Sequence, residues 1–422
     1  MELNIGYGNG GQHVTVPDQN LMGVLLPNEV SLPCGGAEAV RRALASPIGS
    51  PPLEQLVHPG EKIVLITSDI TRPVPSAVIV PEVLDALYQA GVRPEDVVLV
   101  FGRGSHRRHT EQEKEQLAGT RVYHEIRCLD SDPEDCVRLG HTRRSTPVDV
   151  TRVVAEADRR ICIGNVEFHW FAGFSGGGKA IMPGVSNRAA IQANHRLMAD
   201  PHAQAAILDG NPLREDLDEA AAICGVDFIV NVVLDAHKQI VYAAAGDLIQ
   251  AHRDACRVLQ SLYSKPIPRR ADIVIVSQGG TPKDLNLYQV QKALDNARHA
   301  VRSGGIVILA GRCQEGFGDE TFLQWMLEAD SPQAILERIR REFCLGGHKA
   351  AAFAKVLVQA QILLVSDLPA SLVRDAMMEP VASIQAALDA AFDRLGPEAS
   401  VLVMPFGGAT LPRVQEEGAC KP

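Results

Sequence analysis

Two histidines bracket a run rich in glycine that ends in lysine. His169 opens it, Trp170 and Phe171 follow, AGFSGGGK leads to Lys179, and the stretch continues through IMPGVSNRAAIQANH to His195. Glycines let backbone N–H groups approach an anion, lysine adds a charge or an amine nucleophile, and histidines ligate metal or move protons. This segment is the expected active site, with Ser175, Gly176, Gly177, Gly178 and Lys179 as its anion-binding part. Gly173 to Lys179 also fits the GxxxxGK spacing of a phosphate-binding loop. Ala180 follows, however, where a magnesium-nucleotide enzyme needs a Ser or Thr hydroxyl, and EFHWF interrupts the path from strand to loop. These residues favour a phosphate-bearing ligand held without magnesium; the alternative is a phosphotransferase built on a phosphate loop.

In open parallel sheets, ligands collect beyond the carboxyl ends of the strands. Three further strand ends carry chemistry. In SDITRPVPS, Asp69 ends a strand and Pro73 holds Arg72 extended, so its guanidinium can capture a carboxylate. In FGRGSHRRHT, glycines at 102 and 104 present His106 on a loop as a candidate acid or base. In SQGGTPKDLNLYQVQK, Tyr288 and Lys292 share one helix face with Gln289 beside them, forming a second carboxylate clamp. Each residue has a plainer role open to it: Asp69 as a helix cap, Tyr288 in a core, Lys292 on a surface.

The elements behind these ends alternate as in βαβ units. KIVLITSD, DVVLVFGRG and RRICIGNVEF read as strands, SAVIVPEVLDALYQAG and EQEKEQLAG as helices, and a helix follows Ser186 as its N-cap. A second α/β pattern begins after SKPIPRRA. The expected fold is therefore two α/β domains with mostly parallel sheets, residues 1–265 and 272–422, joined by a linker at 264–271, with the active site in the cleft between them. A net charge of −10 without Lys/Arg clusters argues against nucleic-acid binding. Apolar runs of strand length and an N-terminus unlike a signal peptide predict a cytoplasmic protein without membrane spans. The nine cysteines contain no CxxC pair, against a zinc ribbon, an iron–sulfur site or a disulfide scaffold.

Taken together, SDITRPVPS, GSHRRHT, HWFAGFSGGGK with His195 beyond it, and GGTPKDLNLYQVQKALDNA resemble the nickel-dependent lactate racemase family of 2-hydroxyacid racemases and epimerases. The resemblance runs from about the first strand to MPFGGATLP. It implies a nickel-pincer nucleotide, either pyridinium-3-thioamide-5-thiocarboxylic acid mononucleotide or its non-covalent dithiocarboxylate form, made by separate cofactor-biosynthesis enzymes. It also implies His195 as the nickel ligand, Lys179 as the residue joined to the cofactor in some members, and Asp69 with the glycine loop as further cofactor contacts. His106 and His169 match the catalytic histidines. Arg72, Tyr288, Gln289 and Lys292 match substrate residues. Gly178 stands where the family pattern has arginine.

The implied reaction moves the C2 hydrogen of a 2-hydroxy acid as hydride to the cofactor while one histidine takes the hydroxyl proton. The resulting 2-keto acid turns and is reduced on its other face. Trp170 and Phe171 either line the substrate pocket, favouring small aliphatic or aromatic 2-hydroxy acids with lactate first, or are core packing. A second substrate carboxylate could be met by Arg103. A protein that only holds the cofactor is a further alternative, and the presence of both His106 and His169 counts against it.

Overall fold

A computed structural model describes residues 1–26, 28, 34–235, 237–344 and 346–415. The chain divides into two compact units, Val30–Ser261 and Met1–Glu29 with Leu262–Pro422. Both are α/β with mostly parallel sheets. Among the described residues no helix is long and apolar enough to cross a membrane.

In Val30–Ser261 a six-stranded sheet runs Ile240–Gly246, Phe228–Leu234, Arg159–Asn165, Ile63–Ser68, Val97–Gly102, Arg127–Asp130. All neighbours pair in parallel except Phe228–Leu234 with Ile240–Gly246, an antiparallel edge. Ile63–Ser68 is buried at five of its six positions, the continuous apolar run that a strand covered on both faces requires. The helix Ser76–Gln89 packs Ile79, Val83 and Leu87 into the same core as Leu65, Leu99 and Ile161. Strand order reverses between Ile63–Ser68, whose chain continues to Val97–Gly102 on one side, and Arg159–Asn165, whose chain continues to Phe228–Leu234 on the other. Connections leaving in opposite directions open a crevice at that switch point, and the carboxyl ends beside it carry Asp69 and the His169 segment.

The second unit has a six-stranded all-parallel sheet: Glu379–Pro380, Ala360–Val365, Val301–Ala310, Ala271–Ser277, Val401–Met404, Leu21–Val24. Its own switch point lies between Ala271–Ser277 and Val401–Met404. The helix Leu287–Arg298 follows the first of these strands, with the Asn286 side chain accepting the Gln289 N–H at 3.1 Å.

The structure differs from the sequence reading in three places. The first 29 residues group with the C-terminal half, not with the domain that follows them. The reason is apolar: Ile5, Val14 and Val16 of the N-terminal hairpin are buried with Ile273 and Val401, and Leu21–Val24 completes the sheet edge. The proposed linker contains a strand, Ser264–Ile267, paired in parallel with Leu411–Val414. The cap of the helix Arg188–His195 is Asn187, whose side chain accepts the Ala190 N–H at 2.9 Å, while the Ser186 hydroxyl donates to the Ile181 carbonyl.

Candidate active site

Asp69 emerges from its strand only 3% exposed. Its carboxylate accepts the Thr71 hydroxyl at 2.8 Å and makes a close contact with Nδ1 of His106. Burial pushes this carboxyl up, but the His106 hydrogen bond and charge, Thr71 and the Arg72 guanidinium outweigh it and hold Asp69 below its ordinary range. An ionised Asp69 fixes the proton of a neutral His106 on Nδ1 and leaves Nε2 as a lone pair. His106 is about one-third exposed, so that lone pair can reach a ligand. Arg72 closes the turn through its N–H to the Asp69 carbonyl, and its side chain is exposed.

The His106 loop is built by close backbone approach. Gly104 has φ +54°, which favours glycine, and its N–H donates to the Gly184 carbonyl at 2.9 Å, tying this loop to the segment just after Lys179. Arg103 is not spare: its guanidinium donates to the carbonyls of Ser131 at 2.8 Å and His106 at 2.7 Å. The expectation that it could meet a second carboxylate is thereby corrected.

His169 lies on a short hairpin, Phe168–His169 paired with Gly173–Phe174. Its Nδ1 accepts the Ala172 N–H at 3.3 Å, which favours the tautomer carrying hydrogen on Nε2. Phe171 is the hub of this half of the site. Its ring stands edge-on to His169 at 4.4 Å, to Trp170 at 4.7 Å and to His195 at 5.2 Å, and the Lys179 ammonium nitrogen lies 5.8 Å from its centroid. Being only 4% exposed, Phe171 packs the chemical groups in place and offers almost no surface to a substrate, which corrects the pocket-wall expectation; Trp170 is partly exposed. His195 ends the helix Arg188–His195 and is buried.

Lys179 sits in a 3₁₀ turn, Gly177–Ala180. Burial, reinforced by the charges of Arg72 and Arg214, lowers its amine from 10.5 to about 7. The glycines before it do a different job from the one the sequence suggests. The Gly177 N–H is turned inward onto Asn231 Oδ1 at 2.8 Å, and a β-carbon there would meet Arg214 at 2.6 Å and His252 at 2.9 Å. Arg214, 1% exposed, donates to the carbonyls of Phe174 and Gly176 and pairs with Asp218 at 2.7 Å, while His252 Nε2 donates to the Ser175 carbonyl. The Ser175 hydroxyl donates to the Asn165 carbonyl and accepts the Glu167 N–H. Ser175 and Gly177 thus commit these groups to shaping the loop. A hairpin separates Arg159–Asn165 from the loop, and no α-helix begins at Lys179, so the strand-loop-helix geometry of a phosphate loop is not formed.

In the other unit, Tyr288 and Gln289 are half-buried and Lys292 is exposed on the helix Leu287–Arg298. The Gln289 carbonyl accepts the side chain of Gln278, which ties the helix start to the end of Ala271–Ser277.

Three contributors escaped the sequence reading. Thr71 is the second donor to Asp69. His109, itself buried, joins two strand ends: Nε2 accepts the Ile70 N–H at 3.1 Å, and Nδ1 meets Asp130 at 2.5 Å. The signal was present in GSHRRHT, which holds two histidines. Arg214 was foreshadowed only by its i,i+4 spacing from Asp218, which usually marks a solvated helix face.

A buried carboxylate paired with a partly exposed imidazole, a second histidine and a lysine, at strand ends of one α/β sheet, form an arrangement suited to catalysis. Comparison with known proteins makes the class specific. Residues 7–206 match the lactate racemase N-terminal domain and residues 267–411 the lactate racemase C-terminal domain. A lactate racemase of Thermoanaerobacterium thermosaccharolyticum is 32% identical across 97% of this chain and 99% of its own, and one of Lactiplantibacillus plantarum 33% identical across 96% and 98%. The solved lactate racemase apoprotein of T. thermosaccharolyticum superposes with a TM-score of 0.89 at 32% identity, covering 98% of this chain and all of that one. A Thermotoga maritima protein of 18% identity shares the fold, with a TM-score of 0.64 over 93% of this chain and 100% of its own. The chain belongs to the lactate racemase family.

Proposed function

We propose that this protein racemises 2-hydroxy acids, with lactate and larger aliphatic or aromatic analogues as substrates, by proton-coupled hydride transfer with a nickel-pincer nucleotide. The observation that carries the reading is the pairing of His106 with ionised Asp69 in the same unit as His169, Lys179 and His195. Abstracting C2–H as a proton would place charge beside an existing carboxylate, so a route that avoids the carbanion is favoured.

The donor set fits the cofactor. His195 would supply an imidazole to nickel, a suitable ligand for that ion. Lys179, with much of its amine unprotonated near neutral pH, is matched to the covalent link that the family resemblance implies. Asp69 would be a further cofactor contact, while Ser175 and Gly177 act by holding the loop that carries Lys179. When bound, the nucleotide supplies the acceptor and donor of hydride.

The protein's own groups manage protons and orientation. His106, with Nδ1–H held by Asp69, would take the hydroxyl proton at Nε2. His169 would give a proton from Nε2 as an imidazolium and be left neutral with Nε2 free; its Nδ1 accepts the Ala172 N–H only in the neutral form that carries the hydrogen on Nε2. Returning the reaction reverses these roles, as the two enantiomers require. Arg72 would hold the carboxylate, together with Tyr288, Gln289 and Lys292, while the carbonyl turns. Maturation would depend on cofactor-biosynthesis enzymes as partners.

The test is a chiral assay on D-lactate and L-lactate, with nickel quantified, using protein co-produced with those enzymes. Interconversion with about one nickel per chain is expected. Nickel without turnover on a panel of 2-hydroxy acids would replace racemisation with cofactor holding.

A further inference from the structure

The helix Leu287–Arg298 presents Tyr288, Gln291 and Asp295 at i, i+3 and i+7 along one side, with exposed Lys292 at its edge, one turn on from Tyr288. That face meets Lys349, a residue 6% exposed near the start of the helix Gly347–Gln359. The Lys349 ammonium lies 4.3 Å from the Tyr288 ring centroid and donates to Gln291 Oε1 at 2.8 Å. His348 stands edge-on to the same ring at 6.0 Å, with its Nδ1 accepting the Gly346 N–H at 3.1 Å. The position of the pair is fixed from behind: a β-carbon at Gly347 would meet the Trp325 ring at 2.8 Å. Asp295 is 3% exposed, and burial raises its carboxyl against the charges of Arg298, Lys355 and Lys349.

We propose that Lys349 is the positioning residue of Tyr288: it clamps the phenol ring from one face and, as a cation on that face, makes the hydroxyl a stronger hydrogen-bond donor to substrate. The proposal rests on the reading of Tyr288 as a substrate residue. A cation over a phenol ring favours the phenolate over the phenol, so it acts on the O–H itself as well as on ring orientation. Gln291 keeps the ammonium centred, and His348 limits the ring from a second side.

The experiment is a pH titration of the Tyr288 phenol in the apoprotein, read as phenolate absorbance after subtraction of the Tyr288→Phe variant. Lys349→Met should move the midpoint up by about one pH unit, and Lys349→Arg should restore most of the shift. Gln291→Met, which removes only the acceptor of the ammonium, should move it in the same direction by less, and it covers the case in which Lys349→Met does not fold. An unchanged midpoint in a folded Lys349→Met or Gln291→Met protein overturns the proposal.

In the loaded enzyme, Lys349→Met should raise KM for lactate several-fold, and adding it to Tyr288→Phe should cost nothing more. Additive losses would mean that Lys349 acts elsewhere and would overturn the proposal. If Tyr288→Phe alone leaves KM and kcat unchanged, the substrate role of Tyr288 fails, while the titration still decides whether Lys349 governs the phenol.

Discussion

The amine of Lys179 gives the sharpest quantitative expectation. Burial first, then the positive charges of Arg72 and Arg214, bring it from 10.5 to about 7. At pH 7 about half of the Lys179 side chains should therefore carry a free lone pair, against roughly one in 3,000 for an ordinary lysine. Competitive acetylation of the apoprotein, read by peptide mass spectrometry from about pH 5 to 10, measures that fraction directly. Labelling of Lys179 should rise through neutrality and level off, while exposed lysines still climb at the alkaline end. Arg72→Gln removes one of the two charges and should move the midpoint upward, by less than the contribution of burial, since burial is the larger cause. A midpoint above about 9 in the wild type would refute the argument that this pocket desolvates the amine. An unmoved midpoint in Arg72→Gln would remove Arg72 from it.

Further outcomes follow from the same groups. His106→Ala and His169→Ala should each keep nickel and lose racemisation in the chiral assay; near-normal turnover would take that residue out of the mechanism. His195→Ala should fold and lose nickel, and full occupancy by metal analysis would defeat the ligand assignment. Lys179→Met should stabilise the apoprotein at weakly acid pH. Between about 7 and 10.5 the unfolded chain binds a proton that the folded one does not, so wild-type stability rises with pH there. The variant's advantage should be at most about 3–5 kcal/mol below pH 7 and should fade towards pH 10.5, as measured by denaturant unfolding.

Much of the architecture was legible because it rests on local patterns. Continuous apolar runs marked Ile63–Ser68 and Ala271–Ser277, and residues after strand ends pointed to Asp69, His106 and His169. What stayed hidden depends on contacts between distant parts of the chain. Leu21–Val24 reads as one more short apolar stretch until Val401–Met404 lies beside it. The glycines at 176–178 invite an anion in the sequence, and only the buried guanidinium of Arg214 reveals that Gly177 is small because there is no room for a β-carbon. Phe171 reads equally as pocket wall or core packing in the sequence, and its burial among two histidines and a lysine favours packing. Lys349, distant in sequence from Tyr288, carries no motif at all, and its role depends on the packing of two helices.

The most direct test of the central claim is to follow the C2 hydrogen itself. Racemisation of D-lactate deuterated at C2, run in ordinary water with the nickel-loaded protein, separates hydride return from proton exchange. L-lactate that keeps its C2 deuterium is the expected result, because a C2 hydrogen moved as hydride would not exchange with water before returning to carbon. L-lactate carrying solvent hydrogen at C2 from the first turnovers would contradict it.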